Sequence, residues 1–421
     1  MKASTFFTLF WIIYYPTCIG FNDLPSMGYV DEFMTVILIG YTITQYGRRT
    51  DNTCVEEALA FLGILIFYIL YSLLMAVNVA DSVWLDLVQQ IRPYSVIYCT
   101  WILSPRFTQR QVRMMLISMI LTLGAWIMYH PVGGDAEFPV LGQLAITTGM
   151  SYYLFTKATK RNRYIALLLV CTGLLAPKMK FVGEVVVFIA LIFFVQKKIR
   201  FSSLKSQWKI AMVAVIAIFF TWERFKVYFV DGWENEELAR PRTYKTSLKI
   251  LRDYFPFGSG MGTFATSAAW KYYSPLYPKY DLDEVWGLDR GGGFIADAYY
   301  PSLAEFGVVG VFLFCVFWKR RIKQIYQLKD GRLYRVAMMA TACLAIEQTA
   351  DSSYLSGKGM GYFMLLGLCM ASLRYQKEPV KISIENKTKN ESNDGGLREG
   401  ERGGCGIGHP NDGANAFVER V

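Results

Sequence analysis

Long apolar runs separated by short polar loops dominate the chain. The runs cover residues 6–19, 33–46, 57–77, 83–103, 113–129, 139–156, 164–177, 180–196, 208–222, 299–318, 334–350 and 359–374. Most are near the ~20 residues that a helix needs to cross the hydrocarbon core of a bilayer. The pattern predicts an all-α, polytopic membrane protein with about twelve transmembrane helices, the first of them a retained span rather than a cleaved signal peptide.

The charges of the connecting loops predict the orientation of these helices. Lysines and arginines concentrate in alternate loops, at 48–49, 106–113, 157–163, 197–205 and 319–323. The intervening loops are mostly acidic or neutral. By the positive-inside rule, both termini are expected in the cytoplasm and the long polar segment 223–298 outside it. One outer turn breaks the rule, because it carries Lys178 and Lys180.

The sequence divides into two parts. Residues 1–375 form the predicted transmembrane domain, with segment 223–298 inserted between the ninth and tenth helices. Residues 376–421 are polar and glycine-rich, so they are predicted to be a disordered cytoplasmic tail.

The fourth apolar run is unusual, because it contains Gln89, Gln90, Arg92 and Pro93. A charged, irregular helix at membrane depth is tolerated where it faces protein or a wet cavity. Two interpretations are open: the run lines a cavity, or it lies on the membrane surface up to Arg92 and is followed by a shorter span.

Composition narrows the class of protein. Of the 421 residues, 53% are hydrophobic and 19% are charged, against about 25% charged residues in soluble domains. The net charge of +10 comes from short loops, so it indicates topology rather than nucleic-acid binding. The eight cysteines have no zinc or disulfide spacing, and the two histidines, His130 and His409, are too few for a histidine-built metal centre. We therefore expect no metal and no cofactor.

Cations bunch at the start of the outer segment. They are Arg240, Arg242, Lys245, Lys249 and Arg252, and the last four follow the three-four-three spacing of one helix face. Such a stripe, with Lys178 and Lys180, could bind a phosphate-bearing group. The alternatives are a solvated surface for the stripe and chance for the two lysines.

A glycine-rich turn follows the stripe, at Pro256-Phe257-Gly258-Ser259-Gly260-Met261-Gly262-Thr263-Phe264. It follows no strand, so it is not a dinucleotide fingerprint, and alone it indicates only close packing of backbone on a helix. Its interest lies in its neighbours, the cations before it and the run Tyr299 to Gly310 after it.

Arg242, the glycine-rich turn and the run Tyr299 to Gly310 together resemble the O-antigen polymerase/ligase superfamily. Its members act on polyprenyl-diphosphate-linked glycans at the outer face of the bacterial inner membrane. The resemblance implies a metal-independent glycosyltransferase of lipopolysaccharide, capsule or exopolysaccharide biosynthesis. A chain-length regulator is a candidate partner, although no residue identifies one.

The departures from the family favour a polymerase. Ligases of the family resemble His-Asn-x-Tyr-Leu before Glu-x-Gly-x-x-Gly, whereas Ala296 and Asp297 stand at the first two positions here. His130 could still reach the site in space. The family's usual Ser-Arg between two central helices looks replaced by Lys178 and Lys180. A ligase that transfers finished glycan remains the alternative, and a flippase or transporter is a more distant one.

The resemblance implies roles for individual residues. Arg242, helped by Arg240, Arg252 and Lys178 or Lys180, would stabilise the diphosphate leaving group. Asp297 would accept the proton of the acceptor hydroxyl, or else only cap the helix that follows.

Three further residues are predicted to contact the acceptor or its sugar. They are Tyr299, Tyr300 and the intramembrane Glu347, whose expected charge partner is Lys358 or an arginine. Glu305 is expected to be structural.

Overall fold

A computed structural model describes residues 1–20, 30–45, 52–129, 138–195, 198, 208, 215, 226, 230–233, 237–377 and 418–419. Within these residues the chain is almost entirely helical, as the apolar pattern predicted. The helices are α1 Ala3–Tyr14, α2 Val30–Gln45, α3 Asn52–Met75, α4 Ala80–Leu103, α5 Gln109–Tyr129, α6 Phe138–Phe155, α7 Lys160–Cys171, α8 Met179–Ile189, α9 Ala239–Asp253, α10 Ser267–Tyr272, α11 Leu276–Lys279, α12 Tyr299–Ser302, α13 Gly307–Gln327, α14 Gly331–Ala350 and α15 Gly357–Lys377.

Short turns of other geometry extend these helices. Two π-helical turns, Tyr15–Gly20 and Ala190–Phe194, continue α1 and α8. The 3₁₀ turns are Thr172–Leu175, Asp231–Trp233, Leu303–Phe306 and Ser353–Leu355. Two strands of two residues, β1 Phe107–Thr108 and β2 Val418–Glu419, pair in parallel.

Three of the described helices are long and apolar enough to cross a membrane, namely Cys54–Met75, Gln109–Tyr129 and Tyr299–Gln327. Two shorter apolar helices are Ala3–Ile19 and Gly357–Leu373. Most of the predicted span 208–222, His130, His409 and most of the tail after residue 377 lie outside the described residues. The total of about twelve spans stays a prediction.

The core lies between α4, α14 and α15. Helix α15 is apolar on every side, and its side chains from Tyr362 to Leu366 are buried by its neighbours. Helix α3 behaves differently, because Leu70 and Leu74 on its outer side remain exposed. Such a helix is stabilised by lipid on one side and by protein on the other.

The charged part of α4 is sealed inside the helical body. The guanidinium of Arg92 forms ion pairs with Asp31 at 2.6 Å and Glu32 at 2.5 Å, and its Nη1 donates to the carbonyl of Leu355 at 2.6 Å. Only 3% of the Arg92 side chain is exposed.

Helix α4 is continuous through Pro93. Gln90, Tyr94 and Tyr98 of this run line a cavity between α4 and other helices, as the cavity interpretation predicted. Arg92 itself lies in a buried ion cluster that joins α4 to α2.

The segment predicted to lie outside the cytoplasm, called the outer segment below, is folded rather than extended over its described residues. Its residues from 239 to 298 form α9, α10, α11 and tight turns around a separate apolar cluster. That cluster includes Ile250, Phe264, Tyr277 and Ile295. The segment therefore presents its polar side chains from a fixed framework.

Candidate functional site

An ion pair joins the two ends of the outer segment. Arg240, in the first turn of α9, contacts the Oδ2 atom of Asp297 through Nη2 at 2.5 Å and Nε at 2.6 Å. The Arg240 side chain is 15% exposed and that of Asp297 is 21% exposed, so water reaches both. The pair fixes the start of the cationic helix against the residue that precedes α12.

The geometry settles the competing interpretation of Asp297 as a helix cap. The residue in the cap position of α12 is Ala298, and no side chain caps that helix. The carboxylate of Asp297 instead binds Arg240. Asp297 is therefore held by its charge and not by the backbone of the helix that follows.

The environment of Asp297 makes it a better base than an ordinary aspartate. Burial raises the pKa of its carboxyl group above the ordinary value, and nearby Asp351 acts in the same direction. The charges of Arg240 and Lys178 oppose this rise. The carboxylate thus holds a proton more readily than a solvated aspartate while it stays within reach of two cations.

The lysines of the central turn belong to the same region. Lys178 interacts electrostatically with both Asp297 and Asp351. Burial and the neighbouring charge of Lys180 lower the pKa of Lys178. Among the residues that the structure describes, Lys178 forms no ion pair at contact distance. Its ammonium group is therefore available to a ligand.

Lys180 is fully engaged. Its Nζ atom lies 2.6 Å from Glu347 and 2.5 Å from Asp351. Burial alone would raise the pKa of Asp351, but the charges of Lys180 and Lys358 outweigh it, so the pKa is lowered. The cation that pairs with Glu347 is Lys180, where the sequence predicted Lys358 or an arginine. Glu347 has no exposed surface, and its contact with a sugar stays a prediction.

Two of the predicted tyrosines occupy different environments. Tyr299 is buried and stacks on Tyr354 with ring centroids 4.3 Å apart. Tyr300 is partly exposed, and its hydroxyl donates to the carbonyl of Ala345 at 3.3 Å. Tyr300 therefore lies nearer to solvent than Tyr299, and it interacts electrostatically with Tyr244 beside Arg240.

The cationic stripe lies on another side of α9. Arg242 is two residues from Arg240, and side chains at that spacing leave a helix in nearly opposite directions. Lys249 and Arg252 are exposed, and Arg252 pairs with its neighbour Asp253 at 3.0 Å. The structure thus brings Arg240, Lys178, Asp297 and, through Asp351, Lys180 together, whereas Arg252 stands at the far end of α9.

The glycine-rich turn positions the segment on the helices below it. Gly258 and Gly307 have φ of +84° and +62°, and a Cβ on either would collide with the backbone of the other. The Ser72 hydroxyl accepts from Met261 N at 2.8 Å, and the Glu305 carboxylate accepts from Phe264 N at 2.6 Å. The close-packing interpretation of the turn and the structural role of Glu305 are consistent with these contacts.

Sequence reasoning missed two members of the site. Asp351 follows α14, in one of the acidic loops that served only to predict the orientation of the helices. Tyr244 lies one turn after Arg240, and its hydroxyl donates to the carbonyl of Thr349 at 3.1 Å. Helical spacing from Arg240 could have identified Tyr244, whereas the pairing of Asp351 with a residue 171 positions away has no local signal.

Together these groups place two cations and a carboxylate at one partly exposed surface. Such a surface can bind an anionic group and accept a proton from a neighbouring hydroxyl. In comparisons with known proteins, the chain matches no family model and no curated protein.

Proposed function

We propose that the chain is a membrane glycosyltransferase that polymerises polyprenyl-diphosphate-linked oligosaccharide repeats at the outer face of a bacterial inner membrane. The repeats would be those of an O-antigen, a capsule or an exopolysaccharide. The observation that carries the proposal is the Arg240–Asp297 ion pair beside Lys178, whose ammonium forms no ion pair at contact distance with the described residues. Apolar helices long enough to span a membrane support the membrane location.

The diphosphate of the donor would bind Lys178 first and then compete with Asp297 for Arg240. Arg240 can form two parallel hydrogen bonds to a phosphate group, whereas its Nε and Nη2 atoms now converge on one carboxylate oxygen, Oδ2 of Asp297. This exchange of partners neutralises the leaving group and frees Asp297 at the same time. Arg240 lowers the pKa of Asp297, so transfer of Arg240 to the phosphate makes the freed carboxylate a stronger base.

The bonds then change as follows. An acceptor hydroxyl oxygen attacks the anomeric carbon of the donor sugar, and its proton passes to Asp297. The bond between the anomeric carbon and the diphosphate oxygen breaks, and the diphosphate keeps the electron pair. Arg240 and Lys178 stabilise the charge that develops on that oxygen, and Arg242, on another side of the same helix, acts only at longer range.

The proposal is tested by replacing Asp297 with Asn in a strain that lacks the chromosomal copy. Asparagine has almost the same shape but cannot accept the proton, so we expect polymer formation to fall by about 10²–10⁴-fold. Lipid-linked single repeats should accumulate, as measured by mass spectrometry of the extracted lipids. Lys178→Met should give the same product pattern by weakening diphosphate binding.

Lys271→Ala is the matched control, because Lys271 is an exposed cation of the same outer segment on α10. It should leave chain length unchanged. Accumulation of finished polymer on its lipid carrier would indicate a ligase instead. Normal polymer in Asp297→Asn at wild-type protein level would contradict the proposal.

A further inference from the structure

A second acidic residue lies below the lysines of the candidate site. Glu184 is one helical turn after Lys180 on α8, and none of its surface is exposed. Its Oε2 atom accepts a hydrogen bond from the hydroxyl of Tyr362 on α15 at 2.9 Å. Lys180, one turn earlier on α8, contacts Glu347 on α14 at 2.6 Å, and Glu184 interacts electrostatically with the same Glu347 carboxyl group. Two carboxyl groups therefore lie near each other where solvent does not reach.

The donors around Glu347 show that it is ionised. Its Oε1 atom accepts from Gln143 Nε2 at 2.9 Å, and its Oε2 atom accepts from Lys180 Nζ at 2.6 Å and Ser353 Oγ at 2.8 Å. All three partners donate, and one of them is a cation. Three hydrogen-bond donors stabilise the ionised form of a carboxyl group more than its neutral form.

Glu184 has the opposite surroundings. Its Oε1 atom is buried and receives no hydrogen bond from the other described residues. The charge of Glu347 acts on the same carboxyl group. Two neighbouring carboxylates cannot both remain ionised in a dry interior, because their repulsion is unscreened. A proton on Glu184 removes that repulsion. The burial of Glu184 and the lack of a described donor at its Oε1 atom then have one explanation.

The other groups that face the pair agree with this assignment. Cys343 on α14 lies close enough to interact electrostatically with Glu184 and Glu347. Gln143 on α6 contributes a second buried acceptor, its Oε1 atom. The ammonium of Lys180 occupies the position between Glu347 and Asp351. Lys180 thus contacts two of the three carboxyl groups, Glu347 and Asp351, and a proton neutralises the third, Glu184.

We propose that Glu184 is a protonated carboxylic acid, and that Glu184 and Glu347 form a buried proton site. The proton removes the repulsion at the carboxylate that holds Lys180, and Lys180 in turn holds Asp351 beside Asp297 and Lys178. Glu184 is therefore a positioning residue. The proton site does not depend on the proposed glycosyl transfer.

Infrared difference spectroscopy of the purified full chain in nanodiscs tests the proposal. A protonated carboxyl group in a dry interior has a C=O stretch separate from that of carboxylates. Glu184→Gln should remove this band, and the exposed acid Glu56 provides the control, because Glu56→Gln should leave it in place. Persistence of the full band in Glu184→Gln would overturn the assignment.

Thermal unfolding supplies an independent test. Glutamine imitates a protonated glutamic acid, so Glu184→Gln should change Tm by less than about 1 °C. Glu347→Gln removes the counter-ion of Lys180 and should lower Tm by roughly 3–6 °C. Equal losses in the two variants, or a Glu184→Gln protein that does not fold, would contradict a neutral Glu184.

If polymer formation is also measured, Glu184→Gln should keep the wild-type pH profile, because glutamine preserves the neutral state. A shifted profile would show that Glu184 titrates in the working range and would overturn its assignment as a constant proton holder. Loss of the proposed transferase activity altogether would leave the infrared and Tm results unaffected.

Discussion

Two of the arginine–carboxylate clusters among the described residues differ in how far water reaches the arginine. Arg92 is 3% exposed and meets Asp31, Glu32 and a carbonyl oxygen. Arg240 is 15% exposed and pairs with Asp297, which also interacts electrostatically with Lys178. The first cluster joins two helices, and of its side chains Glu32 alone, at 22%, is partly exposed. The second has both an open side and a competing cation.

The difference shows that burial of a charge is not by itself evidence for function. An ion pair sealed in the interior costs desolvation energy and breaks at high cost when one member is removed. A pair at the edge of solvent can exchange partners with an incoming anion at lower cost. Exposure and unsatisfied capacity therefore distinguish a candidate site from a structural cluster better than charge alone.

The largest expected effect follows from breaking the sealed cluster. Arg92→Met leaves Asp31 and Glu32 without their cation, so the free energy of unfolding should fall by about 3–5 kcal/mol. Thermal unfolding in detergent and the amount of protein in the membrane would measure this loss. Adding Asp31→Asn and Glu32→Gln should restore much of it. Full stability of the single variant would show that the two clusters do not differ as described.

An intermediate effect is expected in the pH dependence of the open cluster. If Asp297 is the base, activity requires its carboxylate and falls on the acid side as the group is protonated. Because burial raises the pKa of Asp297, this fall in activity, the acid limb of the pH profile, should lie above the ordinary aspartate pKa of about 3.9. Arg240 opposes the rise, so Arg240→Gln should move the limb to higher pH by about one unit or more.

Initial rates of polymer formation between pH 4 and pH 8, on the order of one measurement per half unit, would locate the limb in both proteins. The control is Lys271→Ala, which should leave the limb in place. A limb that stays fixed in Arg240→Gln, or moves to lower pH, would exclude Asp297 as the titrating base.

The sequence predicted the helices better than the contacts between them. Hydropathy located α3, α5 and α13, because a helix that faces lipid must be apolar over its whole length. The turn with Lys178 and Lys180 and the run Tyr299 to Gly310 were also predicted as candidates, the first from positive charge on the unexpected side. Hydropathy and loop charge are local signals, because they depend only on residues that are close in the sequence.

The partners of the charged residues could not be read in the same way. Lys180 reaches Asp351 across 171 positions, and Arg92 reaches Glu32 across 60. Such pairs form because two helices are adjacent in space, and no periodicity encodes that adjacency. The main diphosphate-binding arginine could not be predicted for the same reason. The spacing of the stripe favoured Arg242, whereas the ion pair with Asp297 favours Arg240.

The smallest of these effects is expected for Arg242. Arg240 contacts Asp297 directly, whereas Arg242 leaves α9 on nearly the opposite side and would act on the phosphate only at longer range. We expect Arg242→Ala to lower polymer formation by roughly tenfold, less than Arg240→Ala, whose loss should reach about 10²-fold or more. Both proteins should have wild-type Tm to within a few degrees, which excludes misfolding as the cause. Gel analysis of chain length at matched protein level would measure the two losses side by side. If Arg242→Ala loses as much polymer formation as Arg240→Ala or more, the diphosphate site lies on the cationic stripe. The Arg240–Asp297 pair would then have a structural role like that of Arg92.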